Sequence, residues 1–326
     1  MASMSLIRAA ALGLMVLGTS AQAAPEVWPE RTVRIIVPNP AGVSNDVIAR
    51  FFAEKLAARW GKPVVVENLP GPDGLVAARE FVSRRDDHTL LYSFASLLSV
   101  NPITIDKLPY DPASDLVPIA STSDNFIAIA VPSSLGVNSL AALVDVARQR
   151  SEKMTFAATP GVPYYAISAF LEESGLEMAQ AHYRNFNQAV TDLSEARIDI
   201  VAAGVIPLLP LVQAGKIRLL AFVNGTRSPA APDVPTASEQ GHDALRFSAV
   251  TGFFGWRDMP MALRDKIAAD VVAVAGQADI RNRLAKLGSL SQAKTPGDFA
   301  AAIEAQRRQI AAIVASIKKA GPSKLQ

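Results

Sequence analysis

The sequence predicts an α/β protein in which helices flank mainly parallel sheets. Short runs of β-branched residues alternate with stretches of helical periodicity, and the connections between them are short. The chain has 326 residues, 50% of them hydrophobic, which is enough for two domains. It has no cysteine, so its hydrophobic core must stabilise it without disulfides.

Residues 1–23 are predicted to be a cleaved export signal. Arg8 is their only charged residue, residues 9–17 form an apolar core, and Ala21-Gln22-Ala23 is an A-x-A cleavage site. No later segment has the roughly 18 unbroken apolar residues of a membrane span. We therefore expect a periplasmic protein without direct membrane insertion.

The charge balance argues against a nucleic-acid partner. The sequence has 32 basic and 30 acidic residues, or 31 and 30 once the signal that carries Arg8 is removed. Such a balance leaves no electrostatic footprint for a polyanion. His88, His182 and His242 lie far apart in the sequence and lack metal-ligand spacing, so we expect neither a metal nor a cofactor.

A strand at 33–37 and a helix at 44–59 form the first unit. The strand is rich in β-branched residues, and apolar side chains recur at helical spacing in the helix. A loop with two prolines and Gly42 separates them. We predict Ser44 as the N-cap and Asp46 in the first turn. Unpaired N–H groups at such a helix start attract an anion, and we expect a carboxylate there.

Two further strands extend this sheet. The strand at 63–67 leads into a helix at 75–83, and a third strand follows at 89–93. Ligands of doubly wound sheets bind beyond the C-terminal ends of the strands, so the loops that leave those ends are candidate binding loops. These loops are 39–46, 68–74 and 93–96.

The second half of the chain repeats the alternation. Its predicted strands are 126–131, 154–158, 198–202, 217–222 and 248–254. Its predicted helices are 139–150, 164–174, 187–196, 206–214 and a long helix after Thr295. The unit at 154–174 is similar to that at 33–59, so we expect two anion-ready helix starts to face each other. We expect strands 126–131 and 248–254 to cross between two lobes.

Several motifs carry a resemblance to one family. They are Trp28-Pro29, Ile36-Val37-Pro38 with Gly42 and Asp46, Val65-Val66-Glu67-Asn68 with Pro70-Gly71, Leu108-Pro109-Tyr110-Asp111, Ala214-Gly215-Lys216-Ile217-Arg218, Arg227-Ser228-Pro229 and Pro232-Asp233-Val234-Pro235-Thr236. In this order they resemble the Bug-type substrate-binding receptors of tripartite tricarboxylate transporters over nearly the whole mature chain.

The resemblance implies a two-lobed, Venus-flytrap fold of the type II periplasmic-binding-protein class. One lobe would comprise 24–126 plus 245–326, and the other 127–244. A monomeric receptor of this kind captures a small carboxylated compound and delivers it to membrane permease subunits, without catalysis. In the family, backbone amides, hydroxyls and ordered waters at helix starts hold the carboxylate. The two main loops match 39–46 and 157–164, and an acid in the place of Asp46 belongs to the first motif.

The second loop departs from the family pattern. Pro160, Pro163, Tyr164 and Tyr165 stand where glycine and small hydroxyl residues are usual, and Gly204 replaces a common acid. Prolines remove N–H donors, while the aromatic rings add flat apolar walls. A bulkier monocarboxylate, including an aromatic one, is therefore expected at least as readily as a small dicarboxylate or tricarboxylate.

The predicted ligand-binding residues come from both lobes. They are Asn39, Ala41, Gly42, Val43, Ser44, Asp46, Ser93, Ser96, Ala158, Thr159, Gly161, Tyr164 and Gly204. Asp46 has the alternative role of an acid that complements the helix dipole. One ring of the pair Tyr164 and Tyr165 should pack in the core, because adjacent helical residues face different ways. Arg184 either pairs within its own lobe or binds a second ligand carboxylate.

Two other functions fit parts of the sequence. Gly42-Val43-Ser44-Asn45-Asp46 is close to the G-x-S-x-G elbow of a serine hydrolase, although an acid replaces its final glycine and prolines spread the turn. A receptor that signals to a regulatory partner instead of a permease would have the same sequence features.

Overall fold

The computed structural model describes residues 28–84, 86–183 and 185–320. The predicted export signal and Arg184 lie outside these residues. The strands are β1 (Val33–Val37), β2 (Val64–Asn68), β3 (Thr89–Phe94), β4 (Val117–Asn125), β5 (Ile127–Pro132), β6 (Thr155–Ala158), β7 (Ala179–Gln180), β8 (Ile200–Gly204), β9 (Ile217–Phe222), β10 (Val250–Gly255) and β11 (Ser289–Ser291). The helices are α1 (Ser44–Trp60), α2 (Leu75–Arg84), α3 (Ser96–Ser99), α4 (Asn101–Thr104), α5 (Leu140–Gln149), α6 (Val162–Ser174), α7 (Phe186–Ser194), α8 (Leu209–Gln213), α9 (Met261–Ala275), α10 (Ala278–Lys286) and α11 (Pro296–Ala320).

These strands form two sheets, one for each lobe. The first has the order β11-β4-β10-β3-β1-β2 and the second the order β7-β6-β8-β5-β9. Four strands of each sheet run in the same direction, while β10 and β11 in the first and β5 in the second are reversed. The predicted two-lobed α/β fold is thus confirmed, with two mixed sheets in each of which most strands run in one direction.

The reversed strands β5 and β10 are those that the chain enters directly after crossing between lobes. The strand before each crossing ends at the cleft, so the chain enters the other sheet at the side that faces the cleft. The first strand after the crossing therefore runs away from the cleft, antiparallel to neighbouring strands whose C-terminal ends point toward the cleft. The crossings themselves lie just before the strands that the sequence indicated, at Asn125 and Phe126 and within 223–249.

Each sheet is covered by helices on both faces. In the first lobe α1, α9 and α10 cover one face, with Phe52 and Val271 among the buried residues, and α2, α3 and α11 cover the other. In the second lobe α5 and α6 cover one face, and α7 packs on the other. Burial on both faces explains why central strands such as β1 read as continuous apolar runs.

Strand β4 was not predicted, because four of its six buried residues are polar. Thr122 and Ser123 lie in the middle of the first sheet, where they exchange hydrogen bonds with Tyr92 and Thr251 over distances of 2.8 to 3.4 Å. Buried hydroxyls are tolerated when they have such partners. The segment therefore lacks the apolar pattern from which a strand is normally recognised.

The long helix α11 contacts both lobes. Phe299 and Ile303 pack in the core of the first lobe, whereas Ile310 packs in the core of the second. The amide of Gln309 donates to the carbonyl oxygen of Arg246 (3.0 Å) in the returning crossing. The sequence prediction places all of 245–326 in the first lobe, and the packing shows that the second half of α11 touches the other one.

Among the described residues, no helix has the length and apolar character to cross a membrane.

Candidate functional site

A cleft between the lobes consists of two adjoining cavities. The larger has a volume of about 710 Å³ and the smaller about 380 Å³. They share residues from both lobes along their common boundary: Asn39, Phe94, Ser96, Pro160 and Gly161. The β1–α1 loop therefore faces the β6–α6 loop across the cleft, as the paired strand–loop–helix units indicated.

Asp46 organises the β1–α1 loop from inside the protein. Its carboxylate accepts hydrogen bonds from the Gly42 N–H (2.8 Å), the Asn68 amide (2.8 Å) and the Arg50 guanidinium (3.1 Å). Its side chain is 2% exposed. Burial alone would raise the pKa of Asp46, but the hydrogen bonds from Arg50, Gly42 and Asn68 outweigh it and hold the pKa below the usual value. Asp46 stays ionised and links the loop to β2.

Helix α1 starts at Ser44, as the predicted range 44–59 has it, but its N-cap lies one residue earlier than predicted. Val43, rather than Ser44, is the N-cap, and no side chain caps the helix. The helical hydrogen bonds begin with the Val47 N–H, which donates to the Val43 carbonyl oxygen (3.0 Å). The N–H groups of Ser44 to Asp46 therefore precede the helical ladder and are free of it. Ser44, the first helical residue, lines the smaller cavity.

Helix α6 offers a second start with fewer donors. Gly161 is its N-cap, with φ of +83°, a backbone conformation that favours glycine. The ladder begins with the Tyr165 N–H donating to the Gly161 carbonyl oxygen (3.2 Å), and Pro163 within the first turn has no N–H. The Thr159 N–H already donates to the Ala202 carbonyl oxygen (3.1 Å). The Thr159 contribution to the cleft is therefore its side chain.

The two adjacent tyrosines of α6 take different roles, as expected. Tyr165 is buried in the core of the second lobe, and Tyr164 is half-buried against that core. Their rings meet edge to face at 5.1 Å between centroids, a favourable aromatic geometry. Both residues line the larger cavity.

Most of the predicted ligand-binding residues line the cleft. Those in the smaller cavity, the larger one or both are Asn39, Ser44, Ser93, Ser96, Ala158, Thr159, Gly161, Tyr164 and Gly204. Four predicted residues do not line either cavity: Ala41, Gly42, Val43 and Asp46. Asp46 lies inward, where it binds the Gly42 N–H, and the tip of the loop that carries Val43 is exposed to solvent. For these four, direct ligand contact has no support in the cleft geometry.

The sequence reasoning missed several residues of the smaller cavity. They are Phe94, Asn125, Phe126, Val205, Ile206, Leu287 and Gln306, among others. Gln306 had a detectable signal, because it occupies an inward position of α11 in the series with Phe299, Ile303 and Ile310. A polar residue at an apolar position of a helix suggests a buried partner. Its amide contacts the Ser99 hydroxyl and the Ser248 carbonyl oxygen.

One group of potential metal ligands occurs among the described residues, formed by Asp86, Asp87 and His88. Arg31 pairs with both carboxylates, at 2.7 and 2.8 Å. The His88 Nε2 accepts a hydrogen bond from the Glu30 N–H (3.0 Å). These atoms therefore have partners within the protein, and the group does not line either cavity of the cleft.

Comparison with known proteins decides the family. A family model described as "Tripartite tricarboxylate transporter family receptor" matches residues 48–318. The chain belongs to this receptor family. Among curated relatives of the receptor, a UPF0065 protein of Bordetella bronchiseptica is 30% identical over 93% of this chain and 90% of its own length. Protein BugT of Bordetella pertussis is also 30% identical, over 72% of this chain and 73% of its own.

Solved structures agree with the fold of the receptor. A periplasmic transporter is 27% identical with a TM-score of 0.76, covering 88% of this chain and 97% of that one. Rpa4515 of R. palustris, solved with adipate, is 25% identical with a TM-score of 0.78 over the same shares of the two chains. The periplasmic binding protein BugD, at 24% identity and a TM-score of 0.74, supports the fold as well. The Bug-type resemblance in the sequence is confirmed.

Proposed function

We propose that the receptor acts as a monomer in the periplasm, where it captures a small carboxylated compound and delivers it to a tripartite tricarboxylate-type permease. One observation carries the proposal: two helix starts from different lobes face each other across a cleft whose described lining residues include no lysine or arginine. An anion bound there must rely on main-chain N–H groups and hydroxyls.

The carboxylate would bind at the shared boundary of the two cavities. N–H groups at the start of α1, together with the hydroxyls of Ser44, Ser96 and Thr159, provide donors from both lobes. A few charge-assisted hydrogen bonds contribute ~1.5–3 kcal/mol each. With burial of an apolar body, they suffice for roughly micromolar affinity, about −8 kcal/mol. An arginine clamp is not required.

Binding would favour the closed arrangement, because the donors come from both lobes. A ligand that contacts both walls stabilises the state in which the walls are close, and so shifts the equilibrium between open and closed forms. The permease would recognise the closed form. The adipate in the R. palustris relative supports a carboxylate as the ligand class.

The walls also support a bulkier ligand than a simple dicarboxylate. Pro163 removes one donor from α6, while Phe94 and Tyr164 give the cleft aromatic surface. We therefore expect monocarboxylates with an apolar or aromatic body to bind at least as well as small tricarboxylates.

A thermal-shift panel of aliphatic monocarboxylates, aromatic monocarboxylates, dicarboxylates and tricarboxylates tests the proposal. At least one carboxylate should raise the melting temperature, and the shift should shrink in Tyr164→Ala but persist in Tyr164→Phe. Met261→Ala, at a side chain with 69% exposure outside both cavities, serves as the neutral control. Stabilisation by uncharged compounds alone would contradict the anion site.

A further inference from the structure

The larger cavity contains a single acid among its described lining residues, Asp73. It lies in the turn Pro72–Gly74 that leads into α2, with φ of +50°. Residues other than glycine rarely adopt this left-handed conformation, and aspartate is one of those that tolerate it. The Asn101 amide donates to the Asp73 carbonyl oxygen (2.9 Å) and fixes the turn against α4. The structure thus holds an aspartate in an uncommon conformation on the wall of the cleft.

The Asp73 carboxylate has no cationic partner among the described residues. The only hydrogen bond of Asp73 among the described residues is the one that its main-chain carbonyl accepts from Asn101, so its carboxylate has no structural partner. Neither lysine nor arginine occurs among the described residues that line the two cavities. The carboxylate is therefore a solvent-exposed negative charge without an ion pair, beside a cleft that otherwise favours anions.

The charge of Asp73 acts on both sides of the cleft. Burial raises the pKa of Tyr110 to about 12, and the nearby Asp73 charge adds to this shift. Burial likewise raises the pKa of Tyr165 to about 12, with a further contribution from Asp73. Tyr110 belongs to the first lobe and Tyr165 to the second. The carboxylate therefore lies close enough to affect hydroxyl groups from both lobes.

Aromatic rings surround the same space. The larger cavity is lined by Phe94 from the first lobe and by Tyr164, Tyr165, Tyr183 and Phe186 from the second. The face of an aromatic ring attracts a cation within about 6 Å of its centre. A carboxylate together with several rings is the combination that recognises an ammonium group, whereas a second ligand carboxylate would be repelled by it.

We propose, building on the receptor function above, that Asp73 and the rings of the larger cavity form a subsite for a cationic nitrogen. The preferred ligand is then a zwitterion, with its carboxylate at the helix starts and its ammonium group at Asp73. This subsite distinguishes amino-substituted carboxylates from plain monocarboxylates and dicarboxylates of the same length.

Four acids with one six-carbon skeleton test the subsite: hexanoate, adipate, 2-aminohexanoate and 6-aminohexanoate. Dissociation constants are measured by calorimetry for the mature protein and for Asp73→Asn, in which the amide tolerates the same backbone conformation. At least one amino acid should bind about fivefold more tightly than hexanoate, the upper end for an ion pair that is exposed to solvent. In Asp73→Asn this preference should vanish while hexanoate binding is unchanged.

Asp258→Asn is the matched control. Asp258 is also an exposed aspartate with positive φ, +63°, but it does not line the cleft, so the preference should survive its substitution. Equal or tighter binding of hexanoate or adipate, or a preference that persists in Asp73→Asn, overturns the subsite and leaves the receptor function intact. Failure of all four acids to bind, and of the carboxylate panel above to stabilise the protein, overturns both proposals.

Discussion

At the scale of single residues, Asp46 shapes the loop that carries the proposed anion site without lining the cleft itself. Its carboxylate binds the Gly42 N–H, Asn68 and Arg50, so its charge is compensated inside the first lobe. The loop would then separate the negative charge of Asp46 from that of a bound carboxylate ligand. The sequence left open whether Asp46 is a site residue or a structural acid, and its hydrogen bonds favour the second role.

Replacement of Asp46 by asparagine should disrupt the loop. One of the carboxylate oxygens becomes an NH₂ group that faces donors, so a buried donor loses its acceptor. We expect the free energy of unfolding to fall by about 2–4 kcal/mol and carboxylate affinity to fall at least about tenfold as the loop loses its shape. Chemical denaturation and calorimetry measure both quantities. Asp145→Asn, at an exposed position of α5, is the control, and an Asp46→Asn protein as stable as this control would refute the role.

The serine at the start of α1 provides a test of the enzyme alternative. Ser44 lines the smaller cavity, whose described lining residues include no histidine to act as its base. We expect no turnover of p-nitrophenyl esters above the uncatalysed rate, for the mature protein and for Ser44→Ala alike. Ester hydrolysis that disappears in Ser44→Ala would establish a hydrolase instead.

At the scale of elements, the starts of α1 and α6 differ in their capacity to bind an anion. The first turn of α1 contains no proline, whereas Pro163 replaces one donor of α6. Under the proposed function, most of the main-chain contacts of a carboxylate would therefore come from the first lobe. The second lobe contributes the Thr159 side chain and aromatic surface.

Substitution of Pro163 by alanine should restore the missing donor. The new N–H in the first turn of α6 is expected to increase the affinity for dicarboxylates by a few fold, or roughly 1 kcal/mol. The same change should lower the melting temperature slightly, because proline restricts the unfolded chain. Titration calorimetry of adipate follows the first effect. Pro210→Ala at the start of α8, outside both cavities, should leave affinity unchanged, and no gain in Pro163→Ala would contradict a role for α6 amides.

How far the elements could be predicted depended on which faces they bury. β1 is a continuous apolar run between two helix layers, and its prediction at 33–37 agrees with the structure. β4 was missed because its buried hydroxyls find partners only after Thr122 meets Tyr92 and Thr251. The cap of α1 was misplaced because Val43, which has no capping group, occupies the N-cap position. Such features depend on contacts distant in sequence.

The site was predictable to the extent that it follows the strand ends. Ser96, Thr159 and Gly204 follow or end strands, and they line the cleft as expected. Asn125 and Gln306 come from a crossing and from a distant helix, which meet the cleft only through the arrangement of the two lobes. No local pattern around them indicates this.

At the scale of the whole molecule, the crossing between lobes is held by polar groups. Asn125 donates to the Ala249 carbonyl oxygen (3.0 Å), and Asn224 donates to the Asn125 carbonyl oxygen (2.9 Å). The Ala249 N–H donates to Asp124 (2.6 Å). Burial raises the pKa of Asp124 to about 6, although these neighbours and the charge of Lys294 oppose the shift. A carboxylate at the crossing therefore titrates near neutral pH.

Asp124 should make stability fall as the pH rises. Its pKa is higher in the folded protein than the ordinary value of 3.8, so the folded state binds the proton more tightly between those two values. The stabilisation is complete below about pH 4 and is lost as the pH rises through about 6. The quantity to compare is the unfolding free energy of Asp124→Asn minus that of the unmodified protein. We expect this difference to be about 2–3 kcal/mol larger at pH 7 than at pH 4.

Urea unfolding at both pH values measures this difference, and other titrating groups cancel in the comparison. Asparagine keeps an oxygen that accepts from the Ala249 N–H, so the crossing retains its geometry. The control Asp145→Asn should follow the unmodified protein at both pH values. A constant difference between Asp124→Asn and the unmodified protein would show that Asp124 titrates at its ordinary pKa.

Because α11 contacts both lobes, its position would decide which ligand groups favour the closed arrangement of the lobes. Asn125, Ala249 and Gln306 belong to the connections between the lobes, and all three line the smaller cavity. If the lobes rotate about these connections, the lining of the smaller cavity beside them moves little. The cleft walls farthest from the connections then move most. Ligand groups bound beside this axis would therefore add the same affinity to the open and the closed form. Ligand groups that contact residues farther from the axis, such as Asp73 and Tyr164 in the larger cavity, would contribute most to closure.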